Sequence, residues 1–84
     1  MHEVYLERRA ERDLRRLRAD DFDRIIRHIK DLGATPRPAG CRKIIGTERD
    51  WRIRVGDYRI IYEIDDEASA VKVMRVRRRR EAYR

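Results

Sequence analysis

The stretch WRIRVGDYRIIYEI, residues 51–64, alternates apolar and polar side chains on both sides of a Gly56-Asp57 pair. A period of two marks extended strands, and a two-residue Gly-Asp connection is the chemistry of a tight hairpin turn. In the second strand Tyr58, Ile60, Tyr62 and Ile64 point one way, while Arg59, Ile61 and Glu63 point the other. In the first, Ile53 and Val55 oppose Arg52 and Arg54. The short turn sets Arg52, Arg54 and Arg59 together on one surface and the aliphatic and tyrosine side chains on the other.

Further strands flank this hairpin. CRKII, residues 41–45, reads as a short strand, and the Asp65-Asp66-Glu67 turn leads to a last strand, AVKVMRV, residues 70–76. There Val71 and Val73 share parity with Arg75, and Met74 and Val76 are assigned to the core. Towards the N-terminus HEVYLE, residues 2–7, reads as a short strand with Val4 and Leu6 on one face. The period then changes to that of a helix. Ala10, Leu14 and Leu17 form one apolar stripe, and Phe22, Ile25, Ile26, Ile29 and Leu32 a broader one. Asp20 or Asp21 is placed to cap the second helix, Gly33 to end it, and Pro36 and Pro38 to prevent its resumption. Residues 8–33 thus read as a helical hairpin. The expected fold is α+β: an N-terminal short strand and helical hairpin packed on one face of a small, mainly antiparallel sheet of about four or five strands, in a single domain spanning residues 1–84. One helix pair covers one sheet face and leaves the other open.

Charge is distributed unevenly. The 84 residues carry 23 Lys plus Arg against 16 Asp plus Glu, a net +7. Residues 1–35 hold nine basic and eight acidic side chains, whereas residues 36–84 hold fourteen and eight. The excess culminates in RVRRRREAYR, residues 75–84, where Glu81 alone offsets the arginines. So much fixed positive charge draws in a phosphate polyanion by counterion release. A single cysteine, Cys41, forms no internal disulfide, and His2, His28 and Cys41 lack the paired spacings of a zinc site, so neither metal nor cofactor is expected. No apolar run approaches a membrane span and no secretory leader is visible, which points to a reducing, cytoplasmic setting.

Individual residues divide between packing and chemistry. Arginines that alternate with aliphatic residues are what any amphipathic strand of a basic protein contains, so Arg52 and Arg54 alone prove little. The tail arginines have fewer local partners. Trp51 reads chiefly as packing beside Ile53 and Val55, Tyr58 and Tyr62 as core, and His28 as helix surface. Glu63 and Glu81 are candidate proton acceptors, with a salt bridge the simpler reading of each. Cys41 lacks a histidine partner for nucleophilic work, and no phosphate-cradling glycine loop or paired-carboxylate metal pattern is present.

Taken together, WRIRVGDYRIIYEIDDE, the valine-rich strand, the PRPAGCRKIIG link and the terminal RRREAYR resemble the RelE/ParE superfamily of toxins from type II toxin–antitoxin pairs, over essentially the whole chain. The resemblance implies a RelE-like fold and, for the RelE branch, a ribosome-dependent endoribonuclease that cuts mRNA in the A site with the RNA 2′-hydroxyl as nucleophile. On that basis Arg52 and Arg54 match the strand positions that hold the RNA backbone, and Arg59 the arginine that meets charge developing on the phosphate. Arg79 and Tyr83 match the terminal motif, with Tyr83 in proton transfer and base stacking. Arg75, Arg77, Arg78 and Arg80 would add RNA-binding charge. Two departures stand out: many relatives carry lysine at one or both positions that here are Arg52 and Arg54, and the tail reads Arg77-Arg78-Arg79-Arg80-Glu81 where a histidine is common. The implied partners are a cognate antitoxin, the 70S ribosome and mRNA, with operator DNA reached only through the antitoxin and no membrane. The alternatives are a ParE-like gyrase inhibitor acting by protein binding and a catalytically weak RNA-binding homologue.

Overall fold

The structure, a computed structural model, describes residues 1–79. In chain order these form β1 (Glu3–Leu6), α1 (Arg8–Arg15), α2 (Ala19–Ala34), β2 (Arg42–Lys43), β3 (Asp50–Val55), β4 (Tyr58–Asp65) and β5 (Ala70–Arg78). One five-stranded sheet has the order β1-β5-β4-β3-β2. Its members run antiparallel except β1, which pairs parallel to β5 from Glu3↔Ala70 to Leu6↔Val73. The α+β architecture and the mainly antiparallel sheet expected from the sequence are those observed.

The hairpin of β3 and β4 forms where alternation is strongest. Val55 pairs with Tyr58 across the turn, and Gly56 supplies the left-handed φ of +58° that a glycine-first two-residue turn requires. Ile53, Val55, Tyr58, Ile60, Tyr62 and Ile64 turn inward and pack with Ala10 and Leu14 of α1 and with Ile25, Ile29 and Leu32 of α2. Within this core Tyr58 and Tyr62 keep polar contacts: the Tyr58 hydroxyl donates to Asp21 at 3.3 Å, and that of Tyr62 to the Pro36 carbonyl at 2.9 Å. Both tyrosines are buried, as their parity implies. Phe22, by contrast, sits at the rim of the α2 stripe and is substantially exposed.

The last strand differs from its expected assignment. Val71, Val73 and Val76 are all buried, whereas Met74 is only half-buried. A register shift explains this. Ile61 pairs with Arg75, but the next residue, Tyr62, pairs with Val73, so Met74 is the extra residue of a β-bulge. Strict alternation would put Val71, Val73, Arg75 and Arg77 on one face. The bulge turns the two valines in and the two arginines out.

Three smaller corrections concern ends of elements. Neither Asp20 nor Asp21 is the N-cap of α2; that position is Arg18, and the aspartates lie in the first turn, where their charge favours the helix dipole. Gly33 lies inside the last turn of α2 rather than ending it, and the helix runs on to Ala34. The reason for glycine there is close approach. A Cβ at Gly33 would meet the His2 carbonyl oxygen at 2.9 Å, and the His2 N–H donates to the Gly33 carbonyl at 2.8 Å. Finally, β2 spans two residues, because Ile44 turns back to donate its N–H to Asp50 and Ile45 is left exposed.

One carboxylate fastens the helical layer to the bulged strand. Asp13 of α1 accepts from Arg75 Nε at 2.8 Å and Nη2 at 3.2 Å, and from the Val76 N–H at 2.9 Å. Burial opposes its ionisation, but the Arg75 guanidinium and the Val76 N–H outweigh that and hold the carboxyl below its ordinary value. Asp13→Ala is therefore expected to lower unfolding free energy by about 2–3 kcal/mol, with Asp13→Asn losing less because its amide oxygen still accepts from Val76. A depressed folded-state pKa means the contribution is fully present above the ordinary carboxylate value of 3.8 and is lost as pH falls through the lowered folded value. Urea titrations of both variants between pH 3 and pH 7 check this; the wild-type advantage shrinks only at the acid end.

Candidate nucleic-acid interface

The open face carries two cross-strand rows of basic side chains. Residues directly opposite in an antiparallel ladder project to the same face, and Arg54 of β3, Arg59 of β4 and Arg77 of β5 are joined in this way. One ladder step along, Arg42 of β2 opposes Arg52, Arg52 opposes Ile61, and Ile61 opposes Arg75. Arg59 occupies the centre of the first row and is only 7% exposed. It borders a recess of about 370 Å³ whose walls include Gly40, Arg42, Arg52, Arg54 and Arg59. Guanidinium groups remain charged across ordinary pH and offer planar pairs of donors that match phosphate oxygens.

Expected site residues divide on this map. Arg52, Arg54, Arg59 and Arg77 come together on one face. Arg75 shares that face by register, but its guanidinium is engaged by Asp13, so it adds little net charge. Arg78 departs from the expected cluster: it pairs with Tyr58 on the helix-facing side, and its guanidinium lies 5.8 Å from the Tyr58 ring centre. Alternation along β5 places Arg77 and Arg78 on opposite faces, so one run of arginines serves both sides of the sheet. Arg79 is exposed, and its N–H donates to the Asp57 carbonyl at 2.8 Å, which fixes its backbone beside the β3–β4 turn. Arg80, Glu81 and Tyr83 lie outside the described residues.

Glu63 lies four residue steps from Arg59, roughly 13 Å along β4, and sits between Asp50 and Lys72 in the ladder. It belongs to a mixed-charge end of the face. Trp51 is half-buried against the core with Arg37 stacked 5.1 Å from its ring. Burial, then the neighbouring Cys41 thiol, pushes the Tyr62 hydroxyl well above its ordinary value, so it stays protonated. His28 is exposed on α2, with Nδ1 3.0 Å from the Arg24 carbonyl oxygen.

Sequence reading missed Arg42, whose place beside Arg52 depends on the β2–β3 register; the basic Arg42-Lys43 pair in CRKII was the available signal. It also missed the support beneath the turn. The Arg24 guanidinium, which pairs with Asp21 at 3.2 Å, packs against Gly56 so closely that a Cβ there would meet Nη2 at 2.8 Å. Asp21 thus meets both Arg24 and Tyr58, tying α2 to the turn between Arg54 and Arg59.

A two-helix layer over a mixed, mostly antiparallel five-stranded sheet is the RelE-like α+β arrangement. The model of the ParE toxin family of type II toxin–antitoxin systems matches residues 4–83, and the chain belongs to that family. Solved structures agree in fold. The chain is similar to a chain of the RelBE2 toxin–antitoxin complex from Mycobacterium tuberculosis, with 26% identity, TM-score 0.82, and coverage of 92% of this chain and 96% of that one. It is also similar to one in the archaeal RelE–RelB complex from Pyrococcus horikoshii, with 24% identity, TM-score 0.83, and coverage of 93% and 94%. For the intact Escherichia coli RelBE complex the values are 22% identity, TM-score 0.80, and coverage of 93% and 96%. No curated protein sequence gives a significant match.

Like charges directly opposite in a sheet oppose folding by several tenths of a kcal/mol. Arg54→Gln is accordingly expected to raise unfolding free energy by about 0.5 kcal/mol at low ionic strength, with the gain largely gone at 1 M salt, where the Debye length falls to about 3 Å. Denaturant titrations at the two salt concentrations measure both quantities.

Proposed function

We propose that this toxin is a ribosome-dependent mRNA endoribonuclease. The observation that supports it most directly is the Arg54-Arg59-Arg77 row, with a nearly buried guanidinium at its centre beside an open recess. In RNA cleavage without a metal the 2′-oxygen attacks the adjacent phosphorus and the bond from phosphorus to the 5′-oxygen breaks. The 2′-hydroxyl gives up its proton and the leaving oxygen gains one, leaving a 2′,3′-cyclic phosphate and a 5′-hydroxyl end. Charge on the non-bridging oxygens is what fixed donors stabilise. Arg59 is assigned that role, Arg52 and Arg54 hold the RNA backbone, Arg77 adds a neighbouring cation, and Arg79 extends the track beside the turn. Tyr83 is assigned proton transfer and base stacking from the family resemblance.

Arginine is a poor proton acceptor because it stays protonated. The strand arginines therefore orient and stabilise, and the ribosome's part in the reaction is alignment of the substrate. A cognate antitoxin is the proposed protein partner, since the similar RelBE structures are toxin–antitoxin complexes. An acidic amphipathic segment laid over the open face would neutralise its arginines. Operator DNA is then reached through the antitoxin, and a ribosomal target places the reaction in the cytoplasm. The family model is that of ParE toxins, which keeps gyrase inhibition as the competing reading.

Purified protein added to programmed 70S ribosomes, with new mRNA 5′ ends mapped, tests the assignment. A-site cuts are expected in wild type, and Arg59→Ala is expected to lower the rate by about 10²–10³ while ribosome co-sedimentation is retained. Because Arg59 is nearly buried, Arg59→Lys, which keeps a cation, accompanies it, with thermal unfolding of both as the folding control. Absence of cuts by folded wild-type protein, together with inhibition of gyrase supercoiling, would replace this reading with the ParE-like one.

A further inference from the structure

The near balance of charge in the first 35 residues hides a local excess. Residues 8–18 hold six arginines, Arg8, Arg9, Arg12, Arg15, Arg16 and Arg18, against Glu11 and Asp13. Asp13 is engaged by Arg75 and Val76, and Glu11 pairs with Arg15 at 3.7 Å. Of the remaining carboxylates Asp20, Asp21, Asp23 and Asp31 belong to α2, Glu3 lies on β1, and Glu7 is the N-cap of α1 beside Arg8. All six arginines are exposed. At 3.6 residues per turn Arg8, Arg9, Arg12, Arg15 and Arg16 occupy an arc of roughly 120°, opposite buried Ala10 and Leu14. Arginines one turn apart stand about 5–6 Å from one another.

We propose that this stripe is a second nucleic-acid surface that takes the backbone of a double helix. That the helix is RNA rests on the ribosome-directed reading above. Two features argue for a duplex. The stripe comes from α1 and its C-cap Arg16 and contains no aromatic side chain, so it offers cations to phosphates and nothing on which an unstacked base can rest. It is also continuous with the sheet arginines, because Arg16 shares a groove with Tyr58, Arg77 and Arg78 at the exposed side of β5. The basic track therefore turns around β5, with a single strand accommodated on the sheet and a duplex backbone on α1. Such a surface docks the toxin without reading bases.

The test compares two full-length variants with the same charge change, Arg8→Gln/Arg12→Gln on the stripe and Arg27→Gln/Lys30→Gln on α2. Binding of a labelled 20-base-pair RNA duplex, the same duplex as DNA, and the single RNA strand is followed across salt concentrations. The stripe variant is expected to bind the RNA duplex roughly tenfold more weakly, with a salt slope shallower by about 0.9 for each phosphate that is no longer neutralised. The α2 variant is expected to keep wild-type binding, and Arg8→Lys/Arg12→Lys to restore most of the affinity. Comparable binding of the DNA duplex supports recognition through phosphates. Equal losses in both variants would reduce the effect to net charge and overturn the proposal, as would a stripe effect confined to the single strand. Loss of mRNA cutting does not enter this readout. If wild type cuts no mRNA yet duplex binding still depends on Arg8 and Arg12, the nuclease reading fails and the docking surface stands.

Discussion

The open face depends on how β5 resolves a conflict in its own sequence. Its odd-numbered residues from Val71 to Arg77 are two valines followed by two arginines, and a regular strand would send all four to the same side. Either guanidinium groups would enter the core or valines would leave it, and both are costly. The extra residue at Met74 removes the conflict by reversing parity between Val73 and Arg75. Asp13 occupies the point where that reversal leaves the strand needing support. β1 pairs β5 only as far as Val73, and beyond it the Asp13 carboxylate, delivered by α1, meets the Val76 N–H on a stretch of strand that would otherwise be an open edge. Packing of α1 on the sheet and assembly of the arginine rows are two results of this arrangement.

Much of this was legible in the sequence. The alternation in residues 51–64 determines the central hairpin, its buried tyrosines and its outward arginines, since register with a two-residue turn leaves little freedom. The helical stripes are equally plain. What alternation could not show was the bulge, because a single extra residue leaves no distinct mark in a sequence where Met74 and Val73 are both credible core residues. Gly33 shows a second limit. A glycine near a helix end suggests a left-handed terminus, yet its purpose here is to let β1 lie against α2. Arg78 shows a third: in a run of arginines sequence shows density of charge but not which face each member takes.

The open face has an electrostatic character set by residue choice. Its central cations are arginines, whose planar donor pairs suit phosphate oxygens. The phosphate attraction proposed for this face would be weakened by salt. Crowding of like charges is tolerable because the opposite face of the same strands holds the whole apolar core, where burial of Ile60, Tyr62 and Val71 is complete or nearly so. The layer that supplies stability and the layer that supplies attraction are the two sides of one sheet.

The parallel pairing of β1 with β5 joins the first and last strands among the described residues, Glu3 to Ala70. Closing so long a loop is slow compared with forming the β3–β4 hairpin. During synthesis from the N-terminus the residues of the helices and the central hairpin are made before those of β5, and until β5 follows, Arg77 is missing from its row and α1 lacks the strand that Asp13 fastens it to. The open face is therefore completed only once β5 has been made. The row of arginines that crosses three strands is thus the part of the sheet assembled latest.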